Sequence, residues 1–437
     1  MTERSVLAAV SGIQADQTYL DSIGNNIANA DTVGYKSSQV QFQDLLAEQL
    51  SGASGPTPTT AGINPVAVGS GVRVASNEVN LQEGSLEQTG NPTDVAIQGS
   101  GYLIVQSGGQ QLFTRDGSLT TDANGDLTTQ SGGLIQGWQA NSSGTVNTSA
   151  PLTSIKIPQG ETIGATATQN LTLGGNLPAG GTAPLTTTIN AYDTLGNVVP
   201  VTVTFYPTTT ANEWNITASV PGPTGSTGPS YIIGAAPTGT APYAPGSDNV
   251  LFDPVTGQVK SVNGSTTSLQ IAATALPNPP YSPATTPINL VFPATGSSNQ
   301  VTQFNSASTV QVQSQDGYSS GTLQSFSIGQ DGTITGAFSN GATLALGQIA
   351  IANFANATGL ADQGGGLYAT SPNSGQALIG TPGTGGRGAL LGGELEQSNV
   401  DLGTELTNLI TAQEAYTANT KTLTTSSNVI QALENVP

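Results

Sequence analysis

The apolar positions of this chain keep one period at its two ends and another between them. From Val6 an aliphatic residue returns every seventh position, at Ile13, Leu20 and Ile27, with Val10 beside the first. The same spacing returns at Leu402, Leu409, Tyr416, Leu423 and Ile430, reinforced by Leu406. A seven-residue repeat turns one narrow stripe toward a partner, so it predicts helices wound along one another. The first is expected over 4–28, about 37 Å at ~1.5 Å per residue. The last is expected over 398–434, opened by Ser398 and Asp401 at the spacing of a capping box.

Polar or small residues break the stripes at Gln17, Gly24, Gln413, Thr420 and Ser427. Such seams make weak isolated pairs, so both helices are expected to need several neighbours and to order only in an assembly. The stripes are expected to pack the chain's two helices together, leaving Ile23, Ile410 and Val429 to face other copies. The amides of Asn25, Asn26 and Asn29 either bridge subunits or satisfy the helix end.

Between the helices the period falls to two, with Gly, Thr, Ser and Pro punctuating short runs. The expected fold is mainly β with a terminal α-helical coiled coil, its nested β domains inserted between the N- and C-terminal helices. The segments read as helix (1–30), extended connector (31–71), inner β domain (72–148 and 316–386), outer inserted β domain (149–315), linker (387–397) and helix (398–437). The Pro/Gly-rich stretch 221–248 reads as loop.

Composition narrows the function classes. Only 8 Lys and Arg stand against 27 acids, for a net charge of −19, and the bases are scattered singly. Phosphate backbones and anionic lipid need clustered cations, so nucleic acid and membrane surfaces are poor partners. There is no Cys and no His. That removes thiol nucleophiles, Ser-His-Asp hydrolysis and His-ligated zinc, and no cofactor is implied. No run approaches the ~18 apolar residues of a membrane span. The apolar run Val6–Val10 is about five residues, short of the ~7–15 of a cleavable signal.

Weaker motifs favour plain structure. Asp122-Ala-Asn124-Gly-Asp126 begins like a calcium loop, but Leu127 stands where the loop needs Gly, and a hairpin turn is the better reading. Gly380–Gly388 lacks the Lys-Ser/Thr ending of a phosphate cradle and reads as a flexible linker. A carboxylate glycosidase would need two placed acids and an aromatic cleft, yet the chain has only Trp138 and Trp214 and no evident pair.

Two motifs carry a family resemblance. Leu20-Asp-Ser-Ile-Gly-Asn-Asn-Ile-Ala-Asn29 with Gly34-Tyr-Lys36, and Ser398-Asn-Val-Asp-Leu402 with Glu405-Leu-Thr-Asn-Leu409 and Gln413, resemble the terminal signatures of bacterial flagellar rod and hook proteins. In the middle, Tyr192-Asp-Thr-Leu-Gly-Asn197, Asp316–Thr322 and Ala345–Phe354 are similar to the hook members. Distal rod members share the ends but are much shorter; a surface adhesin would fit the middle but not the paired terminal repeats. The resemblance implies a non-enzymatic subunit of a homopolymer, a curved extracellular tube that transmits torque as a universal joint. It implies flagellar rod, hook-cap and hook–filament junction proteins as partners. It also implies export by the flagellar type III apparatus without a cleaved signal. Phe42-Gln-Asp-Leu-Leu46 resembles the short export signal of such substrates, with Phe42 and Leu46 as its apolar positions; the plain alternative is an apolar edge.

Overall fold

The computed structural model describes residues 2–53, 55–56, 61–158, 160, 162–222, 230–265, 270–272, 288–294 and 296–434. Helix α1 spans Thr2–Ala28 and α2 spans Leu402–Glu434, with strands occupying most of the chain between. The start of α2 corrects the capping box. Asp401 itself is the cap, its Oδ1 accepting the N–H groups of Gly403 (2.9 Å) and Thr404 (3.2 Å). Those bonds, to Thr404 first, hold its carboxyl below the ordinary carboxylate range. An acid at this place also suits the positive end of the helix dipole.

The chain divides into two compact units. The first holds Met1–Gln159, Phe326–Gly336 and Leu344–Pro437. In it the expected connector is half of an arm. Ser38–Asp44 pairs antiparallel with Val72–Val79, and beyond them Glu48–Ser51 pairs with Val66–Val68, every residue of those two short strands exposed. Residues 72–79 therefore belong to the arm and not to the inner sheet. Among the inner strands, Tyr102–Ser107 runs beside Gln110–Thr114 across Gly108-Gly109, whose φ values of 57° and 81° make the two-residue turn that matches strand twist. Tyr102, Ile104, Phe113, Trp138, Ala350, Ala352 and Phe354 form one core, with Phe113 and Phe354 edge-to-face at 4.8 Å.

The stretch read as a linker is sheet. Ala389–Gly392 pairs with Val95–Gln98, and Glu394–Glu396 pairs with Leu86–Gln88. Gly380–Gly388 is likewise held, with Leu378–Gly380 paired to Ile351–Asn353 and Arg387 Nε donating to the Thr381 carbonyl at 3.2 Å. Short strands separated by Gly carry too little period to be told from linker.

The second unit comprises Gly160–Ser325 and Ala337–Thr343. It starts later than 149 because Thr153–Ser154 pairs with the strand Leu134–Gln139 and Ile155 and Ile157 are fully buried, all within the first unit. Leu185–Tyr192, Val198–Pro207, Glu213–Val220, Ser230–Ile233, Asn249–Phe252 and Val259–Val262 make a six-stranded antiparallel sheet. So part of the expected 221–248 loop is strand. A five-stranded sheet centred on Asn170–Pro178 shares its core: Leu171, Leu173 and Leu177 meet Val201, Val203, Phe205 and Trp214. Alternate inward residues of two sheets filling one layer is sandwich packing.

Candidate assembly site

Helices α1 and α2 lie antiparallel, and their direct contacts step seven residues along each. Ser5 and Ser426 hydroxyls meet at 3.0 Å. Gly12 lies against Asn419, so a Cβ there would sit 2.7 Å from the Asn419 amide nitrogen. That amide donates to Asp16 Oδ2 at 2.8 Å. Two heptads on, Asn26 Nδ2 donates to Glu405 Oε1 at 3.1 Å.

This corrects the expected seam. The contact positions Ser5, Gly12 and Asn26 keep the seven-residue spacing but sit one residue, about 100° of helix, from Val6, Ile13 and Ile27. Beside them Ala9, Ala15, Ser22 and Ala412 are buried. Small side chains let the helices approach closely, and polar ones at seam positions fix register at a cost in stability. Val6, Ile13, Leu20, Ile27, Leu409, Tyr416, Leu423 and Ile430 flank the seam, each half-buried. Val10, Leu402 and Leu406 are exposed, as are Leu7, Val429 and Ile410 (58%). Ile23 was expected to face other copies and instead is 1% exposed. Its neighbours Ser22 and Asn26 both bond Ser38 of the arm, which lies along this part of α1.

Asn26 saturates its side chain. Nδ2 donates to the Ser38 carbonyl (2.9 Å) and to Glu405, while Oδ1 accepts from the Ser38 N–H (2.9 Å) and the Tyr35 hydroxyl (3.1 Å). Burial, then the Asp362 and Glu405 charges, pushes the Tyr35 phenol pKa up. Asn29 closes the helix end locally, donating to the carbonyl and side-chain oxygens of Asn25, which is itself exposed. Phe42 packs edge-on to Tyr19 (5.7 Å between centroids) yet keeps 44% of its surface exposed, and Leu46 is 91% exposed.

One cluster escaped the sequence reading. Lys36 Nζ lies 2.5 Å from Glu396 Oε1 and donates to the Gln82 carbonyl at 2.7 Å. Arg115 Nη1 reaches Glu396 Oε2 at 3.2 Å, and its other nitrogens donate to the Gly101 and Gly99 carbonyls. All three side chains are buried. Burial lowers the Lys36 pKa, with the Glu396 hydrogen bond and charge opposing it. Gly34 N–H donates to the Glu396 carbonyl at 2.7 Å, and at φ 68° a Cβ on Gly34 would lie 2.8 Å from the Arg115 carbonyl. Gly34, Tyr35 and Lys36 thus tie the end of α1 to the strand that leads into α2. The Gly-Tyr-Lys motif was the available signal, but nothing local names Glu396 as its partner. Asp122, by contrast, closes a hairpin turn, its Oδ1 accepting the Asn124 and Asp126 N–H groups.

The chain matches four family models: flagella basal body rod protein (7–36), flagellar hook protein FlgE/F/G D1 domain (96–175), flagellar basal body protein FlaE D2 domain (176–318) and flagellar basal body rod FlgEFG protein C-terminal (391–436). It is 35% identical to the flagellar hook protein FlgE of Treponema pallidum, covering 98% of each chain. It is 33% identical to that of Escherichia coli at the same coverage. A crystal structure of Helicobacter pylori flagellar hook protein FlgE2 aligns over 70% of this chain and 98% of that one, at 14% identity and a TM-score of 0.49. Near-complete coverage by hook relatives, with rod and hook models matching from end to end, shows that this chain belongs to the bacterial flagellar hook protein family.

Proposed function

We propose that this hook subunit polymerises through the α1–α2 hairpin, adding copies side by side into a curved, torque-transmitting tube outside the cell. One observation carries the reading. The hairpin uses small and polar side chains for its own seam and leaves Leu7, Val10, Leu402, Leu406, Ile410 and Val429 exposed. Exposed aliphatic side chains grouped toward each end of the hairpin favour interaction faces there. The seam is too polar to hold two helices firmly, so they gain most of their order from neighbouring copies. Folding is then coupled to addition at the growing end. Work is done by assembly and not by catalysis, with rod, cap and junction proteins at the two ends of the tube.

Export precedes assembly in this reading. Leu46, which contributes little surface to the fold, and Phe42 serve as the apolar positions read by the type III apparatus. Hydrogen exchange tests the coupled folding. Amides near Ile13 and Tyr416 should exchange quickly in the monomer and become strongly protected in the polymer. Strong protection already in the monomer would contradict it.

A further inference from the structure

One cavity of the first unit is lined by no residue of either helix. It measures about 490 Å³ and lies beside the buried Lys36–Glu396–Arg115 cluster, with Leu81, Glu83, Ser100, Tyr102, Arg115 and Phe354 among its walls. Cavities of that size take small molecules.

Its polar groups are held in place from behind by Glu396. The Gln82 carbonyl accepts from Lys36 Nζ at 2.7 Å, and the Gly84 N–H donates to Glu396 Oε1 at 3.0 Å. Glu83 is thus pinned on both sides, and only its Oε2 is engaged, by the Gly99 N–H at 3.3 Å. Arg115 turns Nε to the Gly101 carbonyl, Nη1 to Glu396 and Nη2 to the Gly99 carbonyl at 2.6 Å. Nη2 carries two hydrogens, so one N–H is left over.

Tyr102 is 5% exposed, and its hydroxyl has no partner among the described residues. A buried phenol ordinarily finds one. The exposed Ser100 likewise keeps a free hydroxyl among the described residues. Phe354 supplies an apolar wall, fixed by two rings edge-on to it, Phe113 at 4.8 Å and Tyr102 at 5.8 Å. Groups positioned before a ligand arrives lose little entropy when it binds.

The balance of these groups selects a ligand class. Lys36 and Arg115 offset Glu83 and Glu396, so the surroundings carry no net charge. One guanidinium N–H is too few for the two-pronged grip that Arg gives a carboxylate or phosphate. Three separate donors, one open carboxylate oxygen and an apolar face suit a neutral molecule that both donates and accepts around a compact ring. We infer that this cavity binds a sugar ring, its hydroxyls spanning Arg115 and Glu83 and its C–H face lying on Phe354. The inference goes beyond polymerisation and does not depend on it.

Saturation-transfer NMR on the purified full chain, with glucose, galactose, mannose and N-acetylglucosamine as probes, tests it. At least one sugar should receive saturation from the protein and titrate to a plateau. Glu83→Ala removes the acceptor, and Ser100→Trp fills the cavity. Both positions are exposed, so melting should be unchanged while affinity falls about tenfold or more. Absence of transfer to all four sugars, or binding that survives intact in either folded variant, would overturn the site.

Discussion

Lys36 and Glu396 stand 360 residues apart in sequence, yet their side chains meet at 2.5 Å in a site closed to water. The pair sits where the two terminal helices enter the β body, and Arg115, just past the strand Gln110–Thr114, is a second cation on the same carboxylate. A buried ion pair adds little net stability against an apolar replacement, but removing one member strands the others. It therefore acts as a joint with a defined geometry.

Glu396→Gln should destabilise the first unit by about 3–5 kcal/mol, because Lys36 and Arg115 would then face each other unpaired. Lys36→Met leaves the Arg115–Glu396 pair and should cost less, about 1–3 kcal/mol. Denaturant unfolding of the monomer gives both values. An equal cost for the two would deny Glu396 its central place.

The Gly12–Asn419 contact sets how closely the helices approach. Gly12→Val should force Asn419 off Asp16 and weaken the hairpin by about 1–3 kcal/mol. Adding Asn419→Ala should restore part of that loss by making room. Helical circular dichroism of the polymer, and its thermal midpoint, report both. A double variant no better than Gly12→Val would show that space at this contact is not limiting.

Alkaline pH should loosen the inner core. Burial, then the Asp362 charge, pushes the Tyr368 phenol pKa from 10.0 up to about 12, and burial raises Tyr102 as well. Between those values the folded chain keeps a proton that the unfolded chain has lost. The stabilisation is whole below pH ~10 and is lost as pH rises through ~12, at most about 2.7 kcal/mol for Tyr368. Melting from pH 9 to 12 should show the fall, and Tyr368→Phe should flatten it. An unchanged slope in that variant would assign the alkaline loss elsewhere.

Leu46 separates export from folding. Leu46→Ser removes an exposed side chain, so purified monomer should melt within ~0.5 kcal/mol of the parent. Secreted subunit should nonetheless fall at least tenfold in a cell that depends on this chain for its hooks. Undiminished secretion would make Phe42 and Leu46 ordinary arm surface.

The sequence period disclosed the helices almost to their bounds, since a seven-residue repeat held over four or five successive positions has few other physical readings. It misplaced the seam by one residue because hydrophobicity marks large side chains, whereas close approach was achieved by Ala9, Gly12, Ala15 and Ala412. Ile23 looked surplus to the stripe, but the arm that covers its face lay in a segment read as connector. The strands 389–392 and 394–396 were missed because each is too short to show alternation, and their partners lie some 300 residues upstream. Glu396 gave no local sign, for its role depends on Lys36 and Arg115 arriving from two distant strands or turns.

Ile410 offers the most direct test of the central claim. It is 58% exposed, so Ile410→Asp should leave monomer unfolding unchanged. In a polymer that buries the outer face of α2, the new carboxylate would cost several kcal/mol at every copy. Electron microscopy of Ile410→Asp chains under conditions where the parent forms tubes should show none, beside a normal monomer melt. Tubes of ordinary length and number would contradict assembly through the α1–α2 hairpin.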